Sequence, residues 1–105
     1  MKIYFIYVTF GPLREAKRLG GQLVKSKLAA CTNIIPTIYS TYVWKNKTMM
    51  DKECSMIVKT SKSKVQAAIK FIVKKHSYEC PAVSAFPIEY VHADFQKWIN
   101  EQAKG

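Results

Sequence analysis

Acidic residues are scarce in this chain. Seven aspartates and glutamates stand against 17 lysines and arginines, a formal net charge of +10. Such a balance raises nucleic-acid binding first, because clustered basic side chains neutralise phosphates. Arginine is scarcer still, with only Arg14 and Arg18. The remaining positive charge is lysine spread over what read as two helices and several turns. That pattern serves solubility and disfavours a nucleic-acid partner. Long apolar runs are missing too: none nears the ~18–20 residues a membrane-crossing helix needs, so no membrane partner is expected. The apolar opening from Met1 to Phe10 has only Lys2 at its head and no small-residue cleavage site behind it. It reads as a strand and not as a signal peptide, which points to the cytoplasm. Cysteine is limited to Cys31, Cys54 and Cys80, with no Cys-x-x-Cys pair. An odd, dispersed set argues against a disulfide framework and fits reduced thiols, each by default a small buried hydrophobe.

What is present suffices for one core. The chain has 105 residues, 49% of them hydrophobic and 23% charged, too apolar for disorder. Residues 1–105 read as a single domain without repeat, linker or low-complexity tract. Ile3 to Thr9 is bulky and β-branched, a buried strand. Gly11-Pro12 breaks it, and Leu13, Ala16, Gly20, Leu23, Val24 and Leu28 then recur at helical spacing. Gly20-Gly21 costs that helix roughly 1 kcal/mol per glycine; close packing on a sheet or a kink would each account for the pair. A second strand runs from Thr32 to Val43, a turn follows at Trp44-Lys45-Asn46-Lys47, and the return strand includes Cys54 to Thr60. Ser63-x-x-Gln66 has the pattern of a capping box. It opens a helix whose stripe is Val65, Ala68, Ile69, Ile72 and Val73, with His76 in phase. A last strand is expected over Pro81 to Val91. A short helix with Phe95, Trp98, Ile99 and Gln102 follows, with Asp94 as its cap. This order is βαββαβ plus a helix, the ferredoxin-like α+β arrangement.

The arm from Thr32 to Trp44 would span about 40 Å at ~3.3 Å per residue, where strands usually run 5–6 residues. A domain this small cannot cover such a hairpin. Ile38, Tyr39, Tyr42 and Trp44 would then lie exposed along a sheet edge, ready to pair with another subunit. The alternative is a strand broken at Pro36 and folded back.

Several blocks resemble the CutA divalent-cation tolerance family. Leu28-Ala29-Ala30-Cys31-Thr32-Asn33-Ile34-Ile35-Pro36 is similar to its passage from first helix to second strand. Tyr42-Val43-Trp44-Lys45-Asn46-Lys47 looks like its hairpin tip, followed by the acidic pair Asp51 and Glu53. Lys59-Thr60 matches the end of its third strand. His76-Ser77-Tyr78-Glu79-Cys80-Pro81 resembles the family's His-Pro-Tyr-Glu-Val-Pro signature, and Phe86-Pro87-Ile88 its Leu-Pro-Ile strand; Phe95 and Trp98 fit the closing aromatic pair. The resemblance implies a homotrimer akin in architecture to PII signalling proteins, with a long β2–β3 hairpin. It also implies a link to tolerance of divalent metals, copper above all, and no enzymatic activity. Ser77 and Cys80 depart from the signature's proline and valine, so the loop is expected to be less rigid and to gain a thiol.

For metal chemistry the strongest candidates are His76, Glu79 and Cys80, offering imidazole, carboxylate and thiolate to Cu²⁺ or Zn²⁺. No closed set of three or four ligands at diagnostic spacing exists, so no obligatory cofactor is expected, and the reading of His76 as a hydrogen-bonded helix-end residue is favoured over a ligand role. His92 reads as a loop residue. Lys59, Tyr78 and Glu79 are candidates for a polar cleft where subunits meet, or for a structural Lys–Glu pair. A PII-like regulator binding a nucleotide or other small ligand is the alternative function. An RNA-recognition module shares the element order and offers Tyr4, Phe5 and Tyr7, but Cys54 to Lys59 lacks the third-strand aromatics it requires. An acylphosphatase-like enzyme would need an anion-cradling loop after the first strand, and Thr9-Phe10-Gly11-Pro12, with one glycine and a missing N–H, makes a poor one.

Overall fold

A computed structural model describes residues 2–104. The elements run β1 (Ile3–Phe10), α1 (Leu13–Lys25), β2 (Cys31–Trp44), β3 (Lys47–Ser61), α2 (Val65–Lys75), β4 (Val83–Ile88) and α3 (Ala93–Gln102). One sheet has the order β2-β3-β1-β4, antiparallel at every pairing. Strand alternation assigns the faces. Ile6, Val8 and Phe10 of β1 share one face with Cys54, Met56 and Val58 of β3, all fully or almost fully buried. Helices α1 and α2 cover that face with Ala16, Leu19 and Leu23, and with Val65, Ala68 and Ile72. Each large side chain removed from water there contributes about 1.5–3 kcal/mol. Helix α3 packs on the opposite face, where Ile99 and Ala103 meet Ile3 and Ala30. The layered α+β, ferredoxin-like architecture is as the pattern predicts.

Local details differ. In α1, Leu19, which the expected spacing did not include, joins the buried stripe, while Val24 is 40% exposed; in α2, Val73 is 48% exposed. Both valines sit at the flank of a stripe narrower than the residue types suggest. No capping box forms at Ser63: the residue capping α2 is Lys64, without a side-chain cap bond. The Ser61 hydroxyl donates to the Ala103 carbonyl at 2.8 Å, so in the 3.1 Å pair with Ser63 it is Ser63 that donates. Its hydroxyl is thereby spent outside the helix. The cap of α3 is His92, and Asp94 falls within the first turn. The last strand is only Val83–Ile88, an edge position where Pro87 is tolerated.

Gly20 marks a close approach. A Cβ there would lie 2.9 Å from Thr32 Oγ1 and 3.0 Å from Met56 Sδ, whereas one at Gly21 would meet nothing within 4 Å. Close packing of α1 on the sheet therefore explains Gly20 but not Gly21. Gly21→Ala is expected to stabilise the protein by about 0.5–1 kcal/mol. Gly20→Val is expected to cost about 1–3 kcal/mol through overpacking. Urea unfolding of both variants checks the pair; equal effects would refute the asymmetry.

The β2–β3 arm is unbroken. Its register shifts between Ile35 and Ile38, a bulge that accommodates Pro36. Lys45 and Asn46 turn the chain with φ of 50° and 66°, the two left-handed residues of a type I′ hairpin. Strand β3 starts at Lys47, so the arm is longer than the sequence-based core of Cys54 to Thr60. Residues 41–52 are exposed throughout. Tyr39, Val43 and Met50, on one face of the arm, are 74%, 69% and 72% exposed. The other face carries Ile38, Ser40, Tyr42, Trp44, Asp51 and Glu53.

Candidate functional site

The end of α2, the end of β1 and the base of the arm converge on one place. His76 caps α2, its N–H donating to the Ile72 carbonyl at 2.9 Å. Its ring stacks on Phe10 at 4.6 Å between centroids and 8° between planes. Nε2 lies 2.7 Å from the Thr9 carbonyl oxygen, which can only accept, so Nε2 carries the hydrogen. Nδ1 accepts the N–H of Tyr78 at 3.0 Å. Both nitrogens are used, and the lone pair a metal would need is already directed at Tyr78. This removes His76 from the expected metal set and makes it a positioning residue for the loop that follows.

That loop is held at a second point. Ser77 donates its N–H to Glu15 Oε2 and its hydroxyl to Glu15 Oε1, both at 2.8 Å. A proline at this position would have no N–H to give. Ser77 therefore fastens the loop to the first turn of α1 where a looser loop was expected. Glu15 is buried, in the first turn of α1.

Between the two anchors, Tyr78 reaches across to the arm. Its hydroxyl donates to Glu53 Oε1 at 2.7 Å, and Ser40 donates to Glu53 Oε2 at 2.7 Å. Glu53 is thus a buried carboxylate satisfied on both oxygens by neutral donors. Further out, the Tyr42 hydroxyl donates to Asp51. Burial first, then the bond to Glu53, pushes the Tyr78 hydroxyl well above its ordinary range. The folded state therefore retains this proton more tightly than the unfolded chain. Its contribution is complete below pH ~10 and declines as pH rises beyond it. Alkaline unfolding should accordingly be less steep for Tyr78→Phe than for the parent above pH ~10; parallel profiles would refute the coupling.

Arm and loop enclose an open cleft of about 580 Å³, lined chiefly by Tyr42, Trp44, Asp51 and Glu53 on one side and Tyr78, Glu79 and Cys80 on the other. Three of the chain's seven acidic residues line it, and Glu15 stands behind the loop. They do not close into a coordination shell: among the described residues no three of His, Cys, Asp and Glu are grouped to hold a metal ion. Cys80 is exposed at the rim, contrary to the default of a buried thiol; Cys54 is buried and Cys31 half-buried. Burial pushes the Cys31 thiol up, against the opposing pull of Lys59.

Of the expected polar trio, Tyr78 and Glu79 meet in this cleft and Lys59 does not. Its Nζ lies over the rings of Phe5 and Phe95, at 5.2 and 5.6 Å, on the α3 side of the sheet. Nor does Lys59 form the Lys–Glu pair: among the described residues no lysine or arginine lies within ion-pair distance of a carboxylate, and the one basic–acidic contact is His92–Asp94 at 3.8 Å, on the surface. The roles of Glu15 and Glu53 escape sequence reasoning, because both partners lie far along the chain. The one available signal was a glutamate on an otherwise basic first helix.

Comparison with known proteins supplies the remaining information. The family model described as CutA1 divalent ion tolerance protein matches residues 4–102. The divalent-cation tolerance protein CutA of Archaeoglobus fulgidus is 41% identical over 97 residues, covering 92% of this chain and 94% of that one. The chloroplastic protein CutA 1 of rice is 35% identical over 99 residues, 94% of this chain; the chain spans only 56% of the rice protein's length. The crystal structure of CutA1 from Ehrlichia chaffeensis superposes with a TM-score of 0.93 at 33% identity, covering 99% of this chain and 98% of that one.

Proposed function

The chain belongs to the CutA1 divalent ion tolerance family, and on that premise we propose that it is a cytoplasmic homotrimer that binds Cu²⁺ or Zn²⁺ weakly at the cleft between arm and loop, without catalysis. The observation carrying this reading is the concentration of Asp51, Glu53 and Glu79 on one cleft of a chain whose net charge is +10. Carboxylate oxygens accept either metal, and the Cys80 thiol adds a softer donor at the rim. An open set of this kind gives exchange and not a permanent structural ion, so folding is independent of metal. The same carboxylates repel the phosphates of a nucleotide, which disfavours a PII-like nucleotide role for this cleft. No helix among the described residues is long and apolar enough to cross a membrane. Three unpaired cysteines fit a reducing compartment.

Calorimetry with Cu²⁺, Zn²⁺ and ATP tests the proposal, with thiols blocked to prevent simple scavenging. The parent should bind both metals and not ATP. Asp51→Asn combined with Glu79→Gln should weaken metal binding at least about tenfold, near 1.4 kcal/mol. Unchanged metal affinity in the double variant would refute the cleft assignment.

A further inference from the structure

We infer that the outer face of α1 and α2 docks the phosphate backbone of double-stranded nucleic acid, without reading sequence. In the sequence the lysines look dispersed, but the fold collects them. Residues 14–27 and 62–75 hold ten of the 17 basic residues and, among acids, only Glu15. Over the rest of the chain seven basic residues meet six acidic ones. Nearly the whole excess charge thus belongs to two segments. Both helices lie on the same side of the sheet and bury their apolar stripes against it. Their charged sides must therefore point the same way, outward: the seven basic residues within the helices themselves are all exposed, two of the three in the flanking turns are exposed as well, and Glu15 is turned inward onto Ser77. Solubility requires mixed signs and not a field of one sign.

The composition of the face selects the partner. A helix of 13 residues is about 20 Å long at 1.5 Å per residue, and a duplex carries one charge per ~1.7 Å, so α1 alone lies along about 12 phosphates. Eight of the ten basic residues are lysines, point charges suited to phosphate contact without the bidentate fork that reads guanine. No aromatic side chain is exposed on either segment to stack on a base. An anionic bilayer is the poorer fit. Val24 and Val73 are the only large apolar side chains exposed there, and stable interfacial binding needs a buried apolar face as well as charge. The arm, the surface proposed for assembly, carries none of these helical residues.

Fluorescence anisotropy of a labelled duplex of about 20 base pairs, titrated between about 50 and 200 mM salt, tests this. With about six phosphates contacted, log affinity should fall against log salt with a slope near −5. Removing four face charges (Lys17→Gln, Arg18→Gln, Lys70→Gln and Lys74→Gln together) should reduce that slope to about −2 and weaken low-salt binding at least about 100-fold. A control quartet with the same loss of net charge (Lys45→Gln, Lys52→Gln, Lys97→Gln and Lys104→Gln) should keep most of the slope. A random-sequence duplex should bind like any other. Equal weakening by the two quartets would show an effect of net charge alone and overturn the proposal. So would binding to phosphatidylserine vesicles without binding to the duplex, or no duplex binding at low salt.

Discussion

Replacing Tyr39, Val43, Trp44 and Met50 with serine is expected to abolish the proposed trimer and leave a monomer of 12.0 kDa by light scattering. In a single chain these four side chains are 74%, 69%, 41% and 72% exposed. They lie toward the far end of the β2–β3 hairpin, where residues 41–52 are exposed throughout, in a molecule 45 Å along its longest axis. Exposed apolar surface of this kind is an interface in waiting. Aromatic rings dominate such contacts. Trp44→Ala alone should cost about 3–5 kcal/mol if its ring is fully enclosed between subunits. Folding and assembly would then be linked, so melting should shift with protein concentration in the parent. A parent that is monomeric at micromolar concentration, or melting independent of dilution, would contradict the assembly.

The second large effect is expected at Phe10. Its side chain is fully buried and forms the plate on which His76 stacks. Phe10→Ala should cost about 3–5 kcal/mol, a substantial part of the ~5–15 kcal/mol that holds a typical domain folded. The consequence reaches the cleft. Without its plate, His76 loses the geometry that fixes Tyr78, and Tyr78 its hold on Glu53. Reduced stability in urea together with weaker metal binding is the expected pair of results. A loss under about 1 kcal/mol would mean that the core collapses around the cavity and that His76 is positioned by its hydrogen bonds alone.

The framework of the fold was legible because local patterning determines it. Alternation in β1, the stripe of α2 and the Lys45-Asn46 turn each point to the element that forms. The arm was legible from its length, although its register and bulge were not. What escaped was tertiary. Val24 and Val73 are apolar by type, but three-dimensional packing leaves them at the margin. Ser63 has the right spacing for a cap, yet Ser61 competes for its hydroxyl. His76 carries a ligand's chemistry, and only the Thr9 carbonyl and the Tyr78 N–H, one of them 67 residues away, show that its nitrogens are spent. The family resemblance read from short blocks is matched by comparisons covering nearly the whole chain. It carried Asp51 and Glu53 as neighbours of the hairpin tip without revealing that they face Glu79 across a cleft.

The most direct measurement of the metal-site proposal is an anomalous difference map at the copper edge, from crystals equilibrated with Cu²⁺. A partly occupied peak is expected in the cleft, within about 2.0–2.2 Å of a carboxylate oxygen of Asp51 or Glu79. His76 should remain bonded to Thr9 and Tyr78. A peak at His76 or His92 with none in the cleft would contradict it.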